Sequence, residues 1–152
     1  PLPPWRPRQT LGKVKISREI DVNEEKHARS ATGARAFQLD EIEREQVRAG
    51  FSRTGIRSDD ALTTINWFEP GYTSVGQHSH PFDQLSYVLS GAMRFFVGDD
   101  IIDVVAPGVV HIPGDVPHGA EPIGDERVLN IDVYAPVRED YLPLCEHQHF
   151  GQ

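Results

Sequence analysis

The sequence has 152 residues, enough for one compact domain around a single core. Its formal net charge of −8 at pH 7 repels phosphate backbones and anionic lipid headgroups, so we expect neither nucleic acid nor a membrane surface as a partner. The single cysteine, Cys145, excludes an intrachain disulfide and suits a reducing compartment. Since no segment resembles a membrane span or a secretion signal, the expected location is cytoplasmic.

The first fifty residues give mixed signals. Residues 1–10 are rich in proline and predict an extended chain, while residues 12–17 alternate polar and apolar side chains like an edge strand. Residues 39–47 predict a short helix or a loop. We assign residues 1–49 to an N-terminal arm.

From residue 50 onward the pattern changes to short strands separated by turns rich in Gly, Pro and Asp. This pattern predicts an all-β sandwich or barrel over residues 50–138, followed by a C-terminal tail at 139–152. The predicted strands lie near residues 50–57, 61–69, 75–80, 83–90, 92–98, 100–105, 108–113, 117–122 and 126–134.

Four side chains in this region have metal-binding chemistry. His78 and His80 are two residues apart, which on a strand places both imidazoles on one face. Pro81 favours an extended His80 followed by a turn, after which the carbonyl oxygen of Gln84 can point at the same centre. His118 follows a second turn, rich in proline and glycine.

The spacing of these residues resembles the two-part motif of the cupin family. The first part is His78-x-His80-x3-Gln84-x6-Gly91, and the second is the proline-rich turn at residues 113–117 with His118. The resemblance implies a single-domain cupin, a double-stranded β-helix or jelly-roll barrel, that holds one divalent metal ion through His78, His80, Gln84 and His118. Imidazole suits Zn²⁺, Ni²⁺, Cu²⁺ and Fe²⁺ alike, so the ion stays open.

Gln84 departs from the family pattern, which usually has Glu at this position. A neutral amide leaves more positive charge on the ion than a carboxylate does, which favours Lewis-acid chemistry over oxygen chemistry.

The remaining histidines have plainer interpretations. A single histidine is more often solvated or hydrogen-bonded than a metal ligand. His147 and His149 repeat the two-residue spacing but lie in the tail, where chain ends often fray. His111 either supports the site or is a plain strand residue, and we expect His27 to be solvated.

The final strand, residues 129–134, separates into an apolar row and a polar row. Asn130, Asp132 and Tyr134 form the polar row. By periodicity alone the polar row faces water, but a barrel with a wet interior allows it to line a pocket.

Residues 132–142 resemble the end of the pectin-degradation (KdgF-type) cupins, which share the shell of three histidines and one glutamine. In those proteins an Asp, a Phe and an Arg at this spacing act on unsaturated uronates. The resemblance implies catalytic roles for Asp132, Tyr134 (in place of Phe) and Arg138: acid/base catalysis, packing on the sugar ring and clamping of a carboxylate. Without this resemblance, we would expect Arg138 to form a surface ion pair with Glu139 or Asp140.

The expected function is therefore that of a metal-dependent isomerase or lyase acting on an oxygenated, anionic small molecule by uronate ring opening. The long arm and the aromatic load of the strands (Trp67, Phe68, Tyr87, Phe95, Phe96) favour a larger, flatter substrate, as in cupin polyketide cyclases. A dioxygenase and a non-catalytic binding module are further alternatives. The arm can also pack on a neighbouring subunit, so we expect a homodimer.

Overall fold

The computed structural model describes residues 33–148, and all strands and the helix described here belong to the unit that begins at Phe37. In the described part of the chain, nine strands precede one 3₁₀ helix, so the predicted all-β class is confirmed. The elements are β1 (Glu45–Arg48), β2 (Phe51–Arg57), β3 (Leu62–Phe68), β4 (Gln84–Ser90), β5 (Ala92–Val97), β6 (Asp100–Val105), β7 (Gly108–Ile112), β8 (His118–Ile123), β9 (Val128–Tyr134) and the helix Glu139–Gln148.

The strands form two antiparallel sheets that face each other. The larger sheet has the order β1-β2-β3-β9-β4-β7, and the smaller one has the order β6-β5-β8. One hydrophobic core forms between them, because strands of both sheets direct alternate apolar side chains into the same space. Its buried members are Phe68, Val88, Met93, Phe95, Val110, Ile112 and Val128.

The C-terminal helix packs against β2 and does not fray. Cys145 is buried with Leu62 and Tyr134, and the side chain of Gln148 bonds both the N–H and the carbonyl of Arg57, at 2.8 and 3.1 Å. A Cβ atom at Gly55 would lie 2.9 Å from Cys145 Sγ, so glycine permits the close approach. The expectation of a frayed tail is therefore wrong up to Gln148.

The strand predicted at residues 75–80 is wrong: His78 makes one isolated bridge to His118, and Gly76 has a positive φ of 124° that a regular strand does not allow. The segment 39–47, predicted to be a short helix or a loop, is a loop up to residue 44. Its last three residues belong to β1, which pairs with β2 as an edge strand of the larger sheet. The predicted strand at 12–17 and His27 lie outside the described residues.

No helix among residues 33–148 combines the length and the apolar character needed to cross a membrane.

Candidate metal centre

A two-stranded bridge brings the two halves of the histidine motif together. The backbone N–H of His78 donates to the carbonyl of His118 at 2.9 Å, and the N–H of His118 donates back at 2.8 Å. The segment before His78 can lie this close to β8 because position 119 is glycine, where a Cβ atom would lie 2.8 Å from the Gly76 carbonyl oxygen. This single bridge positions His78 next to His118, whereas the sequence predicted that a strand at 75–80 would give the imidazoles their common direction.

A second contact fixes the next histidine. The N–H of Asp115 donates to the carbonyl of His80 at 2.7 Å, and Gly114 lies so close to Pro81 that a Cβ atom would be 2.7 Å from its carbonyl oxygen. The turn before β8 and the turn after His80 are thus packed backbone to backbone. This packing sets the position of His80 relative to His118.

The structure brings the four predicted metal-binding side chains together. The ligand atoms of His78, His80 and His118 all lie within 4.8 Å of one another. The side-chain oxygen of Gln84, at the start of β4, lies 3.1 Å from His80 Nε2 and 3.2 Å from His118 Nε2. His80, Gln84 and His118 are buried, whereas His78 is exposed.

Hydrogen bonds to the other ring nitrogen orient both buried histidines. His80 Nδ1 lies 2.7 Å from the carbonyl oxygen of Phe82, and His118 Nδ1 lies 2.8 Å from that of Val116. Since a carbonyl only accepts, each Nδ1 is the donor. Each Nε2 is then left with a lone pair aimed at the centre of the cluster, which is the form that binds a metal.

These distances fit a bound cation. The two Nε2 lone pairs and the Gln84 oxygen are all acceptors, so they repel one another unless a positive charge lies between them. With bonds of about 2.1 Å, ligands at right angles are about 3.0 Å apart and tetrahedral ligands about 3.4 Å apart, which brackets the two contacts of Gln84. The three imidazoles, whose ligand atoms lie within 4.8 Å of one another, would hold the ion together with Gln84.

The electrostatics of the histidines agree with this geometry. His78 is exposed as a whole residue, but desolvation of its imidazole beside the other histidines lowers its pKa to about 4, and the neighbouring His118 and Arg138 contribute in the same direction. Burial also lowers the pKa of His118. Both rings are therefore neutral at pH 7, and a metal would not have to displace protons from them.

Gln84 connects the histidine cluster to Asp132. Its side chain is close enough to the Asp132 carboxyl to lower the pKa of that group. Because the Gln84 oxygen faces the histidines, the amide nitrogen is the group that can point toward Asp132. Burial raises the pKa of Asp132, while hydrogen bonds from Ser86, Asn130 and Asn66 and the nearby Gln84 side chain oppose that rise.

The polar row of β9 faces inward and not toward water. Asp132 lies opposite Thr64 of β3 and Ser86 of β4, and Asn130 lies opposite Asn66. Ser86 Oγ donates to Asp132 Oδ1 at 2.5 Å, and Asn66 Nδ2 donates to Asp132 Oδ2 at 3.0 Å. These groups form the polar floor of a cavity of about 190 Å³.

The rest of the cavity wall is largely apolar and aromatic. Of the five aromatic residues whose presence favoured a larger, flatter substrate, Phe68 and Phe95 line the cavity. Trp67 lies on the other face of β3, where the guanidinium of Arg44 stacks 3.6 Å from its ring centroid. The other aromatic lining residues are Phe51, Tyr72, Tyr134 and Tyr141.

Tyr134 and Arg138 have different relations to the cavity. Tyr134 lines it and is buried, with its ring 5.7 Å from that of His80 in an edge-on contact. Arg138 is not on the cavity wall: its Nε and Nη2 bond the carboxylate of Asp140, at 2.9 and 3.0 Å, and it stacks 3.8 Å from the ring of Tyr141. Its Nη1 is buried without a hydrogen-bond partner.

The remaining histidines lie away from the cluster. His111 is exposed on β7, and its Nε2 lies 2.9 Å from Asp83, so it does not support the site. His147 bonds the carbonyl of Gly55 at 2.8 Å and belongs to the packing of the C-terminal helix. His149 lies outside the described residues.

Arg48, Arg53 and Asn66 also line the cavity, and the sequence analysis did not select them. The Arg53 side chain bonds Glu45 at 2.7 Å and lies 4.6 Å from the ring of Tyr141. Strand parity could have found Arg53, because its register partner is Asn66, which lies opposite Asn130. Arg48 had no such signal, because it lies in the N-terminal arm, directly after the segment 39–47 that was predicted to be a helix or a loop.

Comparisons with known proteins agree with this architecture. Residues 67–134 match the family model described as the cupin domain. A Bacillus subtilis protein named H2HPP isomerase is 36% identical over 67 residues, which are 43% of this chain but only 28% of that relative.

Two solved structures resemble the chain over most of their own length. KdgF from Halomonas sp. has a TM-score of 0.62 and 25% identity, over 68% of this chain and 96% of that one. A RmlC-like cupin from Shewanella frigidimarina has a TM-score of 0.60 and 27% identity, over 67% and 90% of the two chains.

Residues 67–134 are therefore similar to the cupin domain, and they include the cluster of three histidines. The two-sheet architecture is similar to that of single-domain cupins of the KdgF type.

Proposed function

We propose that this protein is a metal-dependent enzyme of the isomerase or lyase type that moves a proton on a small, oxygenated, anionic substrate. One observation carries the proposal: the Gln84 side chain faces two buried histidines with its oxygen and is close enough to Asp132 to lower the pKa of that carboxyl. The candidate cation site and the candidate acid/base group are thus neighbours. Both line the same cavity.

In this proposal His78, His80, His118 and Gln84 hold one divalent ion, for which Zn²⁺, Ni²⁺ and Fe²⁺ suit the donor set. When bound, the ion supplies Lewis acidity that makes a nearby substrate hydroxyl or enol more acidic. Gln84 leaves the charge of the ion uncompensated at this position. The similarity to proteins named KdgF and H2HPP isomerase supports this type of chemistry for the present chain.

Asp132 is the proposed acid/base group. Its burial raises its pKa, which brings the carboxyl closer to accepting and returning a proton near neutral pH. Hydrogen bonds from Ser86 and Asn66 hold the carboxyl in one orientation on the cavity floor. A positioned group of this kind typically contributes about 10²–10⁴-fold to the rate.

Tyr134 and Arg138 have proposed roles next to this group. Tyr134 offers a ring face to the substrate beside His80. A carboxylate clamp at Arg138 requires the substrate to replace Asp140, which already holds two nitrogens of the guanidinium. In the absence of that exchange, Arg138 supports the Tyr141 ring from behind the cavity wall.

The substrate proposed first is an unsaturated uronate that undergoes ring opening, since the similarity to KdgF covers nearly that whole protein. An aromatic polyketide cyclase would use the same ion and the same Asp132. A dioxygenase is a weaker proposal because Gln84 replaces a carboxylate ligand. A binding module would need the cavity but not the acid/base group.

The experiment uses protein loaded separately with Zn²⁺, Ni²⁺ and Fe²⁺ and 4,5-unsaturated galacturonate, followed by the loss of alkene absorbance. We expect acceleration over the uncatalysed rate, and the Asp132→Asn variant should lose about 10²–10⁴-fold of it. Asp103→Asn is the matched control, because Asp103 is an exposed carboxylate on β6. Absence of acceleration in every loaded form refutes the uronate reaction. Unchanged activity in Asp132→Asn refutes the role of Asp132.

A further inference from the structure

Arg48 is a positively charged residue at the exposed edge of the cavity. Arg48 is the last residue of β1, is exposed and lines the cavity. Within residues 33–148 its guanidinium has no salt-bridge or hydrogen-bond partner, unlike Arg53, whose charge is neutralised by Glu45. Arg48 is therefore the uncompensated cation among the lining side chains. An anionic ligand in the cavity can therefore pair with the Arg48 guanidinium without displacing another carboxylate.

The strand register gives the order of groups from Arg48 inward. Arg48 is the partner of Phe51, which is the partner of Phe68 on β3. These two rings stack with centroids 4.5 Å apart, and Tyr72 lies 5.3 Å from Phe68. Asn66, two residues further along β3, belongs to the polar floor. The cavity thus passes from a cation, through an aromatic ring cluster, to the acid/base group.

The donors of the polar floor are already used within the protein. Asn130 Nδ2 donates to Ser86 Oγ at 2.8 Å and to the carbonyl of Tyr87 at 3.0 Å. Asn66 Nδ2 donates to Asn130 at 2.9 Å and to Asp132 at 3.0 Å, and the Ser86 hydroxyl donates to Asp132. A polyhydroxylated substrate would find few free donors here, and unpaired buried hydroxyls are costly.

We infer that the substrate is a carboxylic acid with a mainly hydrocarbon ring, whose carboxylate binds Arg48 while the ring lies against Phe51, Phe68 and Tyr72. This inference rests on the metal-dependent proton transfer of the proposed function, but it replaces the uronate, the substrate proposed first, with a different class of acid. It favours a cyclic or aromatic keto acid over a sugar acid. Arg48 is then the residue that selects for the anionic group.

The test measures binding of three probes to the Zn²⁺-loaded protein by calorimetry: 3-phenylpropanoate, its neutral amide 3-phenylpropanamide, and galacturonate. We expect the acid to bind about tenfold more tightly than the amide, as a charge-assisted contact at a partly exposed site allows. The Arg48→Gln variant should lose this difference while it keeps its affinity for the amide, and Arg48→Lys should keep most of it. Arg94→Gln, which removes an exposed arginine on β5 outside the cavity, is the control.

A retained preference for the acid in Arg48→Gln overturns the inference, as does tighter binding of galacturonate than of phenylpropanoate or no binding of either phenyl compound. The metal-free His118→Ala variant distinguishes binding of the carboxylate by Arg48 from binding of the carboxylate by the metal ion. If Arg48 binds the carboxylate, the preference for the acid persists without the ion; if it disappears, the carboxylate was bound to the metal. Failure of the proposed function would instead appear as absent turnover with the Arg48 preference intact.

Discussion

The contact between Gln84 and Asp132 makes a quantitative prediction about stability. Replacing Gln84 with Glu, the usual residue of the family motif, places a carboxylate against the buried Asp132 carboxyl. The variant loses the favourable interaction of the amide with the carboxyl and adds a like charge at a buried position. We expect the free energy of unfolding to fall by about 3 kcal/mol.

Asp132→Asn should also destabilise the fold, for a different reason. Asp132 accepts hydrogen bonds at both oxygens, from Ser86 at Oδ1 and from Asn66 at Oδ2, whereas an asparagine has one acceptor oxygen. One donor is left unpaired, at a cost of about 1–3 kcal/mol. The double variant Gln84→Glu/Asp132→Asn again places an amide N–H opposite a carboxylate. Its loss should therefore be smaller than the sum of the two single losses, by about 2 kcal/mol.

The assay is urea unfolding at pH 7 with excess chelator, so that metal binding does not contribute. Asp99→Asn, a change at an exposed carboxylate in the turn between β5 and β6, is the control. Lowering the pH should recover part of the loss in Gln84→Glu, because the two facing carboxyls then share a proton. Additive losses within about 0.5 kcal/mol in the chelated protein would refute the coupling between Gln84 and Asp132.

Four further predictions follow from the site and its surroundings. A chelator should lower the melting temperature, since an ion at a hundredfold excess over its dissociation constant stabilises by about 2.7 kcal/mol, and His118→Ala should abolish that response. In chelated protein, desolvation of the imidazole and the neighbouring His118 hold the pKa of His78 at about 4, so stability should fall as the pH drops from about 6.5 toward 4; His78→Gln should show less of this fall in urea unfolding at several pH values. Gly55→Ala should cost about 1–3 kcal/mol in the same assay, because the new methyl group would meet Cys145 Sγ at 2.9 Å; an unchanged stability would contradict this packing. Light scattering should give the mass of a homodimer for the full chain and of a monomer for a chain that starts at Gly33, if the arm joins two subunits.

The strands from β4 onward were well predicted because turn residues separate them and their side chains alternate. The segment before His80 was mispredicted because a single bridge to His118 gives the imidazoles their common direction without a strand. Local pattern cannot distinguish one bridge from a ladder, since the difference depends on a partner forty residues away. The C-terminal helix was missed because its packing depends on the missing Cβ of Gly55, a tertiary contact.

The orientation of β9 shows a different limit of sequence reasoning. Alternation correctly separated Asn130, Asp132 and Tyr134 from the apolar residues between them, but the period is the same whether a polar row faces water or a cavity. The resemblance to KdgF-type cupins, and not the pattern, favoured the inward orientation. Arg48 could not be found in either way, because its position depends on the pairing of β1 with β2.

The inward polar row is also an argument about function. A fold held together by burial of apolar side chains gains little from a carboxyl whose pKa is raised by burial, since apolar residues of similar volume are often as stable as a buried charged network. Asp132 nevertheless receives hydrogen bonds from Ser86, Asn66 and Asn130, which hold its carboxyl on the cavity floor beside the histidine cluster. A non-catalytic binding module would need the cavity and its cation, but not a buried carboxyl in this position. The cost of keeping one there is most readily understood if Asp132 exchanges a proton with the substrate, and this distinguishes an enzyme from a binding module in the proposal above.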